Sequence, residues 1–321
     1  MNMKKIGLTA LAASLVSVSA NAGELSVSGA ASIGMNGYSA DKANMARSFT
    51  MGNQITFTGG GELDNGMNVS LSFVIDQADD TQPFDNHSVT ISSEGMGTLV
   101  FHGEGGGSAA SSIDGSVAGD IWDGYDGANT YVGTGVTGTA LTTTGPGDNS
   151  VFYTLPSLMD GVSIFTSYNP TTQSNESELG YGITYTGIDG LTASYATTDK
   201  NTGTNSTSGD QTSWKVSYAY GPVTVGASSS EYDVNTASSD RTLDAYSIAY
   251  TVSDELSLSY GVETLTKGQL ATDAEYTAIV ASYVSGGMTI TAKLEDAENV
   301  DNTTTAAADQ EYYFLGAAFA F

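Results

Sequence analysis

The chain of 321 residues contains no cysteine. Disulfides, zinc–thiolate sites and cysteine nucleophiles are thereby excluded. Two histidines leave little room for histidine-based metal sites or for hydrolases that need a histidine base. Basic residues are scarce: nine Lys and Arg stand against 36 Asp and Glu, a net charge of −27. That balance argues against a nucleic-acid partner, because phosphate binding needs clustered Lys and Arg. It also argues against attachment to an anionic membrane surface through basic residues. Proline is rare, at five residues, and beyond the N-terminus no stretch reaches the roughly 20 apolar residues of a spanning helix. Glycine (39), tyrosine (18), serine and threonine are abundant instead, which suits many strands and turns.

The N-terminus reads as a secretory signal peptide over residues 1–22. Lys4 and Lys5 precede the uncharged apolar stretch Ile6 to Val18, and Ala20-Asn21-Ala22 is a small-x-small cleavage pattern. The stretch is short for a membrane anchor. The mature domain is then 23–321, with seven basic against 36 acidic residues, a difference of −29. Without a spanning helix, an exported chain of this kind is either soluble or a β-barrel.

Alternation and turn lengths decide between the two. Leu25, Val27, Gly29, Ala31, Ile33 and Met35 alternate with Ser26, Ser28, Ala30, Ser32 and Gly34. Trp214, Val216, Tyr218 and Tyr220 alternate with Lys215, Ser217 and Ala219. This period of two marks strands with one apolar and one small or polar face. Sixteen such segments are expected, at 24–36, 48–60, 67–76, 86–94, 97–104, 149–155, 161–169, 178–187, 190–199, 211–220, 222–232, 241–252, 255–265, 274–285, 287–296 and 311–321. Their connections alternate between short ones, such as Leu63-Asp64-Asn65-Gly66 and Gly221-Pro222, and long ones, of which 105–148 is by far the longest. A sandwich has no reason for such regularity. Short turns at one end and long loops at the other are the layout of a transmembrane antiparallel β-barrel. Phe321, Phe319, Ala317, Leu315 and Tyr313 add a final alternating strand that ends on a terminal phenylalanine.

Several of these segments resemble general bacterial porins, especially those of alphaproteobacteria. They are the opening strand Glu24-Leu25-Ser26-Val27-Ser28-Gly29, the turn Gly61-Glu62-Leu63-Asp64-Asn65-Gly66-Met67, the segment Asn149-Ser150-Val151-Phe152-Tyr153-Thr154-Leu155-Pro156, and Phe321. The resemblance implies a sixteen-stranded barrel, a homotrimer in outer-membrane lipid, and passive diffusion of small hydrophilic solutes and ions. It also implies that the loop after strand five folds into the barrel and narrows it, with its acids facing a basic wall. By position that role falls on Asp114, Asp120, Asp123 and Asp126, with Glu104 at the end of the preceding strand and Trp122 and Tyr125 pinning the loop.

The chain departs from the family pattern on the basic wall. The mature sequence has two arginines, Arg47 and Arg241. Strand parity places Lys215, Lys293 and Arg241 inward, together with Asp76, Glu104, Glu178, Glu263 and Glu295; Arg47 lies near the first outer loop. An excess of fixed negative charge in a water-filled lumen attracts cations and repels anions, so cation preference is expected. His102 shares the inner parity, while His87 sits near a strand start. No cofactor is expected. Acids in the outer loops, such as Asp79, Asp80 and Asp85, could at most bind divalent cations loosely, since they match no calcium-loop pattern.

Three other functions compete with this reading. A secreted acidic adhesin would show repeats of fixed period, and none is found. An enzyme would need a nucleophile with its base or a close pair of acids, and no such spacing stands out. A sugar-selective channel stays open, with Tyr232 and Trp122 as lumen aromatics.

Overall fold

The computed structural model describes residues 25–40, 46–76, 84–125, 148–170, 177–200, 208–235, 240–304 and 308–321. The expected signal peptide lies outside them. Sixteen strands follow one another: β1 (Ser26–Ala40), β2 (Ala46–Glu62), β3 (Asn68–Asp76), β4 (Phe84–Ser93), β5 (Gly97–Glu104), β6 (Ser150–Thr154), β7 (Val162–Asn169), β8 (Glu178–Tyr185), β9 (Leu191–Lys200), β10 (Gly209–Tyr220), β11 (Val223–Val234), β12 (Arg241–Thr251), β13 (Leu256–Lys267), β14 (Ala274–Ser285), β15 (Met288–Glu298) and β16 (Gln310–Ala320). Among the described residues two short 3₁₀ turns are added, η1 (Ile121–Tyr125) and η2 (Val300–Asn302). Every strand pairs with its sequence neighbour, and β1 pairs with β16, so the sheet is a closed antiparallel barrel without edges. The seam is completed by the terminal residue: Gly29 N–H donates to the Phe321 carbonyl at 2.7 Å, and Phe321 N–H returns the bond at 3.0 Å.

Alternation along the strands fixes which face is which. Phe49, Met51, Ile183, Trp214, Tyr246, Ile279 and Leu315 lie exposed on the outer wall. In a soluble protein such a surface would be an aggregation hazard; in a bilayer it is the lipid-facing band. The inner face carries Ser, Thr, Gly and Gln, and its buried members include Ser167, Thr198, Gln211, Ser213, Ser228 and Ser230.

The tightly packed interior lies between the barrel wall and two segments folded inside it, because the wall is a single sheet. Trp122 and Tyr125 of η1 and Val300 of η2 belong to one buried cluster with Leu243, Leu265 and Tyr276 of the wall. A smaller cluster joins Ala109 to Phe165 and Ala196.

Candidate pore constriction

The segment that leaves β5 descends into the barrel and runs along the inner wall. Its backbone N–H groups find side-chain acceptors on successive strands, as groups removed from water must. Ala109 N–H donates to Ser167 Oγ on β7 at 2.8 Å, and Ala110 N–H donates to Thr198 Oγ1 on β9 at 3.0 Å. Gln211 Nε2 on β10 donates to Asp114 Oδ2 at 2.8 Å. Val117 N–H donates to Ser228 Oγ on β11 at 3.1 Å. The Tyr125 ring ends the path against Tyr276 on β14, with centroids 5.5 Å apart. The described part of the loop thus covers the side of the lumen formed by β7–β14.

Two wall glycines allow the close approach. A Cβ on Gly261 would stand 2.7 Å from Ala118 Cβ, and one on Gly226 would stand 3.0 Å from Val117 Cβ. Both distances are too short for carbon atoms, so the loop rests where the wall has no side chain.

The strongest tether is Glu263 on β13, fully buried. Its carboxylate accepts the N–H of Ile121 at 3.0 Å and of Trp122 at 2.8 Å. It also accepts the hydroxyl of Ser116. Ser116 Oγ in turn accepts the N–H groups of Ala118, Gly119 and Asp120, at 3.0–3.1 Å, so one carboxylate and one hydroxyl hold the whole tight turn. Gly119 and Asp120 have left-handed backbones, with φ of 97° and 52°. Parity alone puts Glu263 in the lumen. Nothing in its sequence neighbourhood marks it as an anchor, because its partners lie more than 140 residues away.

Of the expected constriction acids, Asp114 and Asp120 lie in this loop. Asp114 is held by Gln211, and Asp120 Oδ1 accepts Ser116 N–H at 2.7 Å. Asp123 is exposed on η1, opposite its buried residues Ile121, Trp122 and Tyr125. Asp126 lies outside the described residues. Glu104 departs from the expected parity. A register shift between β4 and β5 pairs His102 with Ser88 but Glu104 with His87, so Gly103 is an extra residue and the alternation breaks there. Glu104 Oε2 stands 4.0 Å from His87 Nδ1, in register with an outer-face position rather than beside His102.

The basic residues are not opposite the loop. Lys215, Arg241 and Lys293 lie on β10, β12 and β15, the side that the loop covers and its immediate margin. Lys215 Nζ lies 3.7 Å from the Cβ position of Gly115 in the loop itself. Lys293 Nζ pairs with Glu295 Oε1 at 3.0 Å. Arg241 is in register with Tyr232 on β11 and Lys267 on β13. Arg47 is in register with Gly37 at the outer end of β2, on the alternating set of Phe49 and Met51, and its side chain lies outside the described residues. The wall across the opening, β1–β6, presents mainly Ser, Thr, Asn and Gln on its described inner face, together with Asp76 and His102. From Ser48 to Asp199 the sequence contains no lysine or arginine at all. Parity found the inward direction of these bases, but which strands face the loop depends on the loop's path, which parity does not contain.

The model of the Gram-negative porin family matches residues 7–302. The chain belongs to that family. Among solved structures, a porin refined at 1.8 Å resolution aligns with a TM-score of 0.66 at 16% identity, covering 93% of this chain and 100% of that one. A mutant of Rhodopseudomonas blastica porin aligns with a TM-score of 0.65 at the same identity and coverage. No curated protein matches. The porin is a channel of the outer membrane, not an enzyme, and its described loop lies inside the lumen against the inner wall.

One of the loop acids titrates in an accessible range. Burial pushes the Asp114 carboxyl up to about 6; the neighbouring Asp120 carboxylate adds to the rise, while the Gln211 hydrogen bond and Lys215 oppose it. The acid is charged at pH 8 and takes up its proton as pH falls through 6. Lowering the pH from 8 to 5 therefore removes one fixed negative charge from the loop and weakens any preference for cations. Reversal potentials measured across that range should flatten in Asp114→Asn; a variant that keeps the wild-type pH dependence would assign the titration elsewhere.

Proposed function

We propose that this porin is a passive, cation-preferring path for small hydrophilic solutes and ions, working as a homotrimer. The observation that carries the ion preference is the one-sided charge: the lumen holds the acids of the loop, while the described inner-face side chains of β1–β6 include no lysine or arginine. Fixed charge within a Debye length of about 8–10 Å of the permeation path biases the local ion concentrations. The preference therefore shrinks as salt is raised. A sugar-selective path finds less support, because Trp122 and Tyr232 are 9% and 1% exposed and serve packing rather than the lumen surface.

The trimer is supported by the uneven outer wall. Exposed Tyr and Trp, which anchor at the headgroup level, lie on β7–β14: Tyr168, Tyr181, Tyr195, Trp214, Tyr246 and Tyr283 are examples. The outer face of β1–β5 carries none among the described residues, and the β1–β16 seam has small outer residues such as Gly29, Ala31 and Ala317. A wall of that kind fits protein neighbours better than a lipid interface.

Refolded protein in a planar bilayer under a KCl gradient tests both points. Current steps that close in threes, with a reversal potential of the cation sign, are expected. An anion-signed potential would overturn the charge argument, and solitary steps would overturn the trimer.

A further inference from the structure

The last outer loop also enters the barrel. Its turn η2 lies on β13 and β14, the two strands that carry η1. Val300 is fully buried, in the same apolar cluster as Trp122 and Tyr125. Asn302 is buried as well, and its amide donates to two backbone carbonyls, Leu265 at 2.8 Å and Thr272 at 3.1 Å. Asp301 pairs with Lys267 at 3.7 Å. Asn299, Asp301 and Asn302 all have left-handed backbones, with φ of 54–62°. That conformation is unfavourable for residues other than glycine and is least so for Asn and Asp. Three in so short a stretch show a segment held in place by its contacts rather than by its own preference.

The outer half of β13 is thus shared. Glu263 holds η1, the carbonyl of Leu265 accepts from Asn302, and Lys267 pairs with Asp301. We infer that residues Asn299–Asn302 are a positioning element for the constriction: by completing the core that η1 enters, this outer loop fixes where the constriction loop stands in the lumen. Packed interiors do not yield continuously, so loss of Val300 leaves a void beside the aromatic anchors and lets them shift. The inference rests on the reading that the loop after β5 sets the opening, and it extends control of that opening to a loop on the cell exterior.

The test uses Trp122 as a reporter. Trp214 is on the outer wall, 40% exposed, and Trp214→Phe leaves Trp122 as the sole indole of the chain. In that background Val300→Ser and Asn302→Ala should shift Trp122 emission to the red and give larger, noisier single-channel currents; Val300→Ile should keep both at their starting values. Lys267→Met removes the ion pair with Asp301 without touching the apolar cluster and serves if the core variants do not fold, with a smaller change of the same sign. Folded variants with unchanged emission and unchanged currents would overturn the inference. A red shift without any change in current would overturn it too, by showing that the moved loop does not set the opening. Neither result depends on the sign of the reversal potential, which tests the ion preference separately.

Discussion

Glu263→Ala is expected to give a folded porin whose pore is wider and noisier and closes at lower voltage. The carboxylate accepts two backbone N–H groups and one hydroxyl. Removing it leaves those donors in a site that water reaches poorly, at about 1–3 kcal/mol for each group left unsatisfied. The barrel ladders are untouched, so the wall survives. The root of the loop also survives, tied to Ser167 and Thr198. What is loosened is the stretch from Ser116 to Tyr125, left with the Val117–Ser228 bond and the Tyr125–Tyr276 contact, and it then samples positions away from β13. Glu263→Gln should fall between, since an amide has one acceptor oxygen and turns its own donors toward the loop's donors. Single-channel recording reads the effect, and heat-modifiable electrophoretic mobility confirms the fold. Wild-type conductance and voltage threshold in Glu263→Ala would show that the remaining tethers suffice.

The contrast between Glu263 and the strands shows what was readable from sequence. Strand β14 falls on the expected 274–285, and most other boundaries lie within two residues, because a barrel between lipid and water imposes its period of two on every strand. The first hairpin is the main exception. Strand β1 runs on to Ala40, through Gly37-Tyr38-Ser39, residues that read locally as loop. The extension is held from outside: Gly37 pairs with Tyr313 and Ala40 with Gln310 across the seam. Local composition cannot report a partner some 270 residues away. The same limit explains Glu104. One inserted glycine, Gly103, breaks the alternation, and a bulge has no composition of its own in a chain with 39 glycines. In the constriction, the acids of the loop were legible as an unusual loop of unusual length. The wall that receives it was not, because Ser228, Gln211 and Glu263 look like any other inward-facing polar residues until the loop's path is known.

That path also makes the wall across from the loop, which carries Asp76 but no lysine or arginine among its described inner-face side chains, the most sensitive place to change ion preference. Thr56 on β2 and Ser88 on β4 are inward by register, midway along strands across from the loop. They stand two strands apart, about 10 Å at the usual strand spacing. Arginine at both positions restores a basic wall without crowding two cations together, since about 10 Å is already a Debye length at 0.1 M salt. The acids of the loop include Asp114 and Asp120, partly offset by Lys215 beside it. At pH 8, where Asp114 is charged, Thr56→Arg with Ser88→Arg should cancel most of the cation preference. At pH 5 the Asp114 proton is bound, the two guanidinium groups stay charged, and the reversal potential should change sign. The sign change with pH is the decisive part, because a double variant that only narrowed the pore would lower conductance equally at both pH values and leave the sign alone. A cation-signed potential at pH 5 would place the selective charge elsewhere than between this loop and this wall.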